Sequence, residues 1–508
     1  MRRITVLVLA LAFALGTVTA AKADGIDVKV KGQWDFAFGW ATNVGWADSI
    51  HHERKGRNDD NFIARQRVRT QINFIASEYL QGVLLFEIGN LDWGRDAGGK
   101  NGQGSGGGLD ADGVNVETKR AYLDWIIPNT EVSVRMGIQG VKLPSGPMGS
   151  PILDADVAGI VVSSPITDMF SITGFWLRPF NTNLNDGNDR YLDDETDVFG
   201  LILPIKGDGW AVTPWGAYGF VGANSDYINY LYGDGSNRYG FGAANGVQDH
   251  AGVWWAGLNF ELTMFDPLKF TFDAMYGSMH KVDVEGNLLT AGKAGYDGFQ
   301  DMKDLADTGV ATRGWFIDAT LDYKLDWGTP GIFGWWSSGD SKNSNNTHQL
   351  GRMPIISTDN GWQATTFGAL GSPAIATEGV VIGSATGTWG VGIQIAKMSF
   401  IQDLSHTIRV AYYQGTNDHE LVSKGGIYAP FAGDMYLTDK DSAIEVNFDH
   451  EYKIYENLTA LLELGYIHLN LDDDTWNSRE NRFIGRANPG GDSGNNAWKA
   501  QLQFQYKF

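Results

Sequence analysis

Period two is the dominant signal in this chain. From Ile26 the even positions read Ile26, Val28, Val30, Gly32, Trp34, Phe36, Phe38 and Trp40, while the odd ones read Asp27, Lys29, Lys31, Gln33 and Asp35. Successive side chains of a strand point to opposite faces, so the run specifies a strand with one apolar and one polar face. The pattern returns at the other end, where Trp498, Ala500, Leu502, Phe504, Tyr506 and Phe508 alternate with Lys499, Gln501, Gln503, Gln505 and Lys507. Trp315 to Lys324 and Ile444 to Asp449 repeat it in between. The longest of these runs exceed the usual five or six residues of a soluble strand and suit the about 9 to 11 residues of a tilted strand that crosses a bilayer. Nothing after Asp24 reads as an apolar stretch long enough for a transmembrane helix. A membrane crossing must therefore be made by a closed sheet, because hydrocarbon offers no partner to a free strand edge.

The connections alternate in length. Tight turns fall at Ser77-Glu78, Pro128-Asn129-Thr130, Pro165 to Asp168, Gly207-Asp208-Gly209, Phe265-Asp266-Pro267, Asp326 to Pro330 and Tyr455-Glu456-Asn457. Long polar segments separate them, such as Leu91 to Asn115, Val221 to Gln248, Met279 to Thr312 and Asp340 to Ala385. Short turns at one end and long loops at the other describe an outer-membrane barrel, and so many long loops would be unusual in a soluble domain. The expectation is an all-β fold: one transmembrane antiparallel β-barrel over residues 24–508, with short periplasmic turns, long extracellular loops and about eighteen strands, sixteen being the alternative. Trp34, Trp40, Trp125, Trp254, Trp315, Trp389 and Trp498 sit where aromatic girdles would place them.

The first residues supply the compartment. Met1-Arg2-Arg3 is a basic n-region, Ile4 to Val18 is apolar and Ala21-Lys22-Ala23 is a small-x-small cleavage site, so residues 1–23 read as a signal peptide. Losing Arg2, Arg3 and Lys22 takes the net charge from -21 to -24. A chain this acidic has no surplus of Lys or Arg to displace phosphate counterions, which excludes nucleic acid as a partner. The absence of Cys excludes disulfides, thiolate metal sites and a Cys nucleophile.

Motifs that would suggest an enzyme fail in context. Gly102 to Gly107 fits GxGxxG but has no βαβ unit around it. Gly491-Asp492-Ser493-Gly494 resembles a serine-protease nucleophile segment without that family's His segment. His51-His52 has no third metal ligand at a suitable spacing, and His406 and His450 have no evident Ser partner. The acidic clusters Asp193-Asp194-Glu195 and Asp472-Asp473-Asp474 lack EF-hand spacing and read as solvated loop faces; the functional alternative is loose Ca2+ binding that bridges to lipopolysaccharide. No cofactor is expected.

The segments Gly82 to Glu87, Arg120 to Leu123 and Val132 to Gly137, with the terminal Phe508, resemble general diffusion porins, and most closely the homotrimeric outer-membrane porins of sulfate-reducing bacteria. The resemblance implies a homotrimer, a loop folded into the pore near residues 142–157, and a C-terminal strand ending in Phe508 that the barrel-assembly machinery reads. It implies a water-filled channel for passive diffusion of small hydrophilic solutes and ions, with a substrate-specific channel of similar size as the alternative and a barrel enzyme a more distant one.

Charge placement refines that expectation. Arg65, Arg67 and Arg69 share one parity with Gln71 and Asn73, opposite Val68, Ile72 and Phe74, so all three should face the lumen as a basic ladder. Arg120, Arg135 and Arg409 fall on the polar parity of their strands. Asp154 and Asp156 belong to the segment expected to fold inward, and would oppose the arginine wall across a constriction. No continuous aromatic track for sugars is visible, although Phe175 and Tyr413 have the inward parity. Gln66 and Thr70 on the outward parity suit a subunit interface. If Phe508 is an assembly signal, deleting it lowers the yield of assembled barrel, measured by pulse-labelling, more than it lowers the melting temperature of barrels already formed. Equal loss on both measures would show only a structural contact.

Overall fold

The computed structural model describes residues 25–42, 61–94, 107, 116–146, 148–181, 193–223, 225, 227, 250–282, 310–342, 349–356, 367, 375–377, 385–420, 437–476 and 496–508. Eighteen wall strands occur among them. They are β1 (Asp27–Thr42), β2 (Asn61–Ser77), β3 (Leu80–Asp92), β4 (Val116–Ile126), β5 (Ser133–Lys142), β6 (Asp154–Pro165), β7 (Ser171–Asn181), β8 (Glu195–Ile202, resumed at Ile205–Gly207) and β9 (Trp210–Val221). The rest are β10 (Ala251–Leu262), β11 (Leu268–Val282), β12 (Val310–Tyr323), β13 (Thr329–Ser337), β14 (Thr388–Ile401), β15 (Leu404–Gly415), β16 (Ser442–Tyr455), β17 (Leu458–Asn470) and β18 (Asn496–Lys507). Leu203-Pro204 interrupts β8, where proline has no N–H to give the ladder, but both pieces pair with β9.

Every wall strand pairs antiparallel with the next, and β1 pairs with β18 from Gln33↔Lys507 to Thr42↔Trp498. The ring is therefore shut, and it is shut at eighteen strands rather than sixteen. Phe508 completes the seam: its amide and carbonyl exchange hydrogen bonds with Gly32 at 3.1 and 2.9 Å. Its ring occupies the space that any side chain at position 32 would need, which is why a glycine stands there.

The expected turns join strand pairs at one end of the barrel. One more turn, at Gln402-Asp403, is not among those expected. Asp403 takes φ 61°, as Asn129 does in the β4–β5 turn, and a short polar side chain tolerates that conformation better than most. The signal-peptide segment, Gly102 to Ser105-Gly106, His51-His52 and Gly491 to Gly494 lie outside the described residues.

The two faces of the wall differ chemically. Trp34, Trp40, Leu123, Ile138, Phe199, Trp254, Trp315, Ile332, Ile393 and Trp498 are exposed on the outer face. Near the loop end, aromatic neighbours follow one another around that face, with ring centroids 5.1 Å apart for Trp254–Tyr276, 4.7 Å for Tyr276–Trp315 and 5.8 Å for Trp389–Tyr412. At the turn end Trp327 stacks on Phe400 and Tyr506 on Phe508. An apolar band between two aromatic belts is the surface that a bilayer matches. The outward Gln66 is not bare, since Trp93 Nε1 donates to its Oε1 at 3.0 Å.

The buried core lies inside the barrel. Phe175, Trp215, Trp255, Met275, Phe316, Phe333, Trp335 and Tyr413 are all on the inner face and at most 7% exposed. They are covered by Leu143, Ile152, Leu153, Leu350, Met353 and Ile356, residues of chain that lies within the ring. Burying such side chains is worth about 1.5–3 kcal/mol each, enough to hold those segments inside. A closed wall with a packed interior resists detergent at room temperature, so unboiled protein should run at a different apparent mass from boiled protein on a gel. Identical mobility would count against the closed ring.

Candidate functional site

Strand β5 leaves the wall part-way along its length. Its pairing with β4 stops at Ala121↔Ile138, whereas its pairing with β6 continues to Lys142↔Asp154. Gly137, at φ 131°, stands just before the departure, and a Cβ there would collide with the Ala121 carbonyl and Tyr122. Beyond it the β5–β6 hairpin crosses the lumen, and at its tip the amide of Gly146 donates to the Asp273 carboxylate on β11.

A second segment, between β13 and β14, also runs inside and meets several walls. Thr312 Oγ1 on β12 donates to the Arg352 carbonyl at 2.6 Å, and Trp255 Nε1 on β10 to the Pro354 carbonyl at 2.8 Å. Ile356 N–H donates to the Ile152 carbonyl of the hairpin at 2.8 Å. Further along, Phe367 N–H reaches Glu445 on β16, Ala376 N–H reaches Gln501 on β18, and Arg65 on β2 donates to the Ile375 carbonyl at 2.7 Å. Arg352 is itself buried and paired with Asp340 at 2.9 Å. Nothing in the polarity pattern marked this second inward segment; the apolar Leu350, Met353, Ile355 and Ile356 were its only trace.

The two segments divide the lumen. On the β7–β15 side they pack against the apolar wall, Phe175 and Tyr413 included. On the β1–β5 side the lining is charged and keeps contact with water: side-chain exposure is 16% at Arg67, 32% at Arg69, 39% at Arg120 and 40% at Arg135. The strip of charged wall beside the hairpin is therefore a water-accessible lane.

The expected basic ladder is a set of ion pairs. Arg65 meets Asp92 at 2.5 Å, Arg67 meets Asp35 at 3.6 Å and Arg69 meets Glu87 at 2.5 Å. Cross-strand register explains it, since Arg65 stands opposite Asp92, Arg67 opposite Asp35 and Arg69 opposite Glu87. Arg65 is further removed from the lane, only 5% exposed beneath the Ile375 carbonyl. Arg135 forms two bonds to Asp124, at 2.8 and 2.7 Å, and lies 4.6 Å from the Tyr122 ring. Arg409 faces Asp449 at 3.7 Å and Gln394 at 3.2 Å on the far wall. The acids, and the bidentate Arg178–Asp197 pair on β7 and β8, were not picked out from the sequence. Single acids on alternating strands carry no local motif.

Asp154 and Asp156 need a correction. They are strand residues of β6, not loop residues, because the hairpin ladder extends to Lys142↔Asp154 and leaves only 143–153 as the loop. Asp154 pairs with Lys142 at 3.1 Å. Asp156 takes Arg120 at 2.6 Å and Lys119 at 3.1 Å, and Lys119 also lies 3.9 Å from Glu87. A bulge in β4 at Lys119 lets two consecutive cations serve one carboxylate. Arg69, Glu87, Lys119, Asp156 and Arg120 thus form one chain of alternating charge from wall to hairpin. Arg65, Arg67 and Arg69 meet Asp92, Asp35 and Glu87, and the cations that meet Asp154 and Asp156 are Lys142, Lys119 and Arg120.

The acidic clusters are occupied locally. Asp193 meets His250 at 3.0 Å, and Glu195 meets Arg178 at 3.6 Å. Asp472 accepts from the amide and hydroxyl of Thr475 at 2.9 and 2.5 Å, capping the short helix Asp473–Trp476. Partial burial opposes its ionisation, but Thr475 and Lys440 prevail and hold its carboxyl below the usual range. Asp474 is exposed. His406 and His450 meet each other, Nδ1 to Nδ1 at 2.6 Å, on the outward parity beside Phe448.

No protein-family model matches the chain, and no curated protein matches it. Solved structures similar to it include Pseudomonas aeruginosa OpdQ (TM-score 0.48, 11% identity, covering 95% of this chain and 98% of that one). Another is P. aeruginosa OpdK with vanillate (0.46, 10%, 95% and 98%), and a third Acinetobacter baumannii OccAB3 (0.47, 11%, 94% and 99%). At these scores the likenesses add nothing to what the strand pairing already establishes.

Pairing changes what an arginine substitution does. Arg69→Ser removes the close partner of Glu87 and leaves it the more distant Lys119, 3.9 Å away, so the reversal potential in a salt gradient should move toward cation preference. The double exchange of Arg69→Glu with Glu87→Arg keeps the local charge and should restore it. Arg65→Ser, under the inner segment, should shift it less than Arg69→Ser. Equal shifts from both single variants would mean that the lane does not pass Arg69.

Proposed function

We propose that this protein is a passive outer-membrane channel with a narrow, charge-lined path, selective for small hydrophilic solutes rather than open to general diffusion. The observation that carries this reading is the division of the lumen: the β5–β6 hairpin and the β13–β14 segment pack against the apolar side of the wall and leave a water-accessible lane among paired charges on the other. A closed ring with an apolar, aromatic-belted exterior supports membrane insertion, and polar lining supports passage of water-soluble cargo. The lane presents both signs within a few ångströms, as at Lys119 between Glu87 and Asp156, which suits solutes that carry charge of their own. Short-range charges of this kind outweigh the acidic exterior, whose field is screened over about 10 Å at 0.1 M salt.

The general diffusion porin remains the second reading, favoured by the unbroken polar lining from Arg69 to Arg135. Planar-bilayer recording separates the two. A selective channel gives small unit conductance that a permeant charged solute blocks saturably; a general porin gives large conductance without saturable block, and absence of conductance sinks both. Closure in three equal steps would add the homotrimer implied by the porin resemblance. Shortening the hairpin by replacing 144–149 with two glycines should raise unit conductance at least about twofold, because it removes the partition of the lumen. An unchanged conductance would show that the hairpin does not bound the path.

A further inference from the structure

Asp273 on β11 and Asp318 on β12 stand directly opposite one another in register, on the inner face, and are 0% and 1% exposed. Asp273 is provided for: Asn259 Nδ2 donates to its Oδ1 at 2.7 Å, and the Gly146 amide of the hairpin tip donates to its Oδ2. Asp318 meets only the Asp273 carboxylate itself. Both of its oxygens are buried without an N–H or hydroxyl donor, and Ser145 Oγ, next to Gly146 in the tip, is buried without a partner as well. A methyl group on Gly146 would lie against Asp273 Oδ2 and 3.3 Å from Asp318 Oδ1, so tip and carboxylates converge on one small volume. No described Lys or Arg forms an ion pair with either acid, and Lys142 at the base of the loop is engaged by Asp154.

Two like charges side by side and out of water are strongly unfavourable unless positive charge joins them. A shared proton removes one charge and leaves an oxygen of Asp318 still without a donor. A divalent cation neutralises both carboxylates and uses the oxygens that now lack donors. The ligand atoms are hard oxygens in an irregular arrangement, which suits Ca2+, whose shell of six to eight oxygens is flexible and takes in carbonyls and water, better than Mg2+, which demands octahedral geometry.

We propose that Asp318, Asp273 and Ser145 form a Ca2+ site that clasps the hairpin tip to the opposite wall. The site goes beyond the channel reading and does not depend on it, since binding can be measured without transport. The test uses the full chain in detergent, free of lipopolysaccharide, stripped with EDTA and dialysed against 45Ca2+ at neutral pH. Wild type should bind one more Ca2+ per barrel than the Asp273→Asn/Asp318→Asn variant, with a mobility shift on boiling confirming that both are folded. Ser145→Ala, which keeps both acids, should bind that ion about tenfold more weakly. Equal stoichiometry in wild type and double variant overturns the proposal and leaves a shared proton as the occupant. If the double variant does not fold, Ser145→Ala decides, and unaltered affinity there overturns it. In planar bilayers, EDTA should raise unit conductance of wild type and leave the double variant unchanged; a failure of this arm alone would discount the clasp and spare the ion.

Discussion

The hydrogen-bond ladder between β1 and β18 is the constraint on which the rest of the molecule depends. An open eighteen-strand sheet would present two long unpaired edges, each a row of donors and acceptors that hydrocarbon cannot satisfy. Closing the ring removes both at once, and Phe508 continues the pairing to the last residue by bonding Gly32. With the edges gone, the outer face can be apolar and the inner face can hold charges and buried polar groups. Neither would be stable on an open sheet.

Closure also creates the interior that function requires, and two departures from regular pairing organise it. The break between β4 and β5, permitted by the backbone of Gly137, frees a hairpin that would otherwise be wall. The hairpin has two chemically different faces: Val141, Leu143, Leu153, Ala155 and Val157 pack into the apolar cluster, while Lys142, Asp154 and Asp156 engage one another and the charged residues of β4. Strand alternation, which on the wall separates lipid from water, here separates core from lane. The β13–β14 segment completes the partition by bonding to strands on several sides of the ring.

Inside such a space, neighbouring charges decide the field. Arginines on one parity would attract anions strongly if they stood alone, but nearly opposite strand positions hold acids at 2.5 to 3.6 Å. Partly buried pairs of this kind are held by the cost of stranding either partner. The lane therefore alternates in sign rather than forming a basic surface.

Much of the architecture was legible in residue order because it obeys short-range rules. Alternation from Ile26 to Trp40 assigned faces, and turn residues such as Gly207-Asp208-Gly209 counted strands. Gln402-Asp403 was passed over. The parity of Arg65, Arg67 and Arg69 was legible for the same reason. What each arginine meets was not, because cross-strand register joins Arg65 to Asp92 and Arg69 to Glu87, and the inner segment that covers Arg65 comes from some three hundred residues further along the chain. Likewise Asp318 reads in sequence as one more polar residue of an alternating strand. Only the fold sets it beside Asp273 and beneath the tip of a distant hairpin. Alternation and turns are properties of adjacent residues and survive in a linear string, whereas ion pairs, loop coverage and burial depend on which strands the closed ring brings together, and that information exists only in three dimensions.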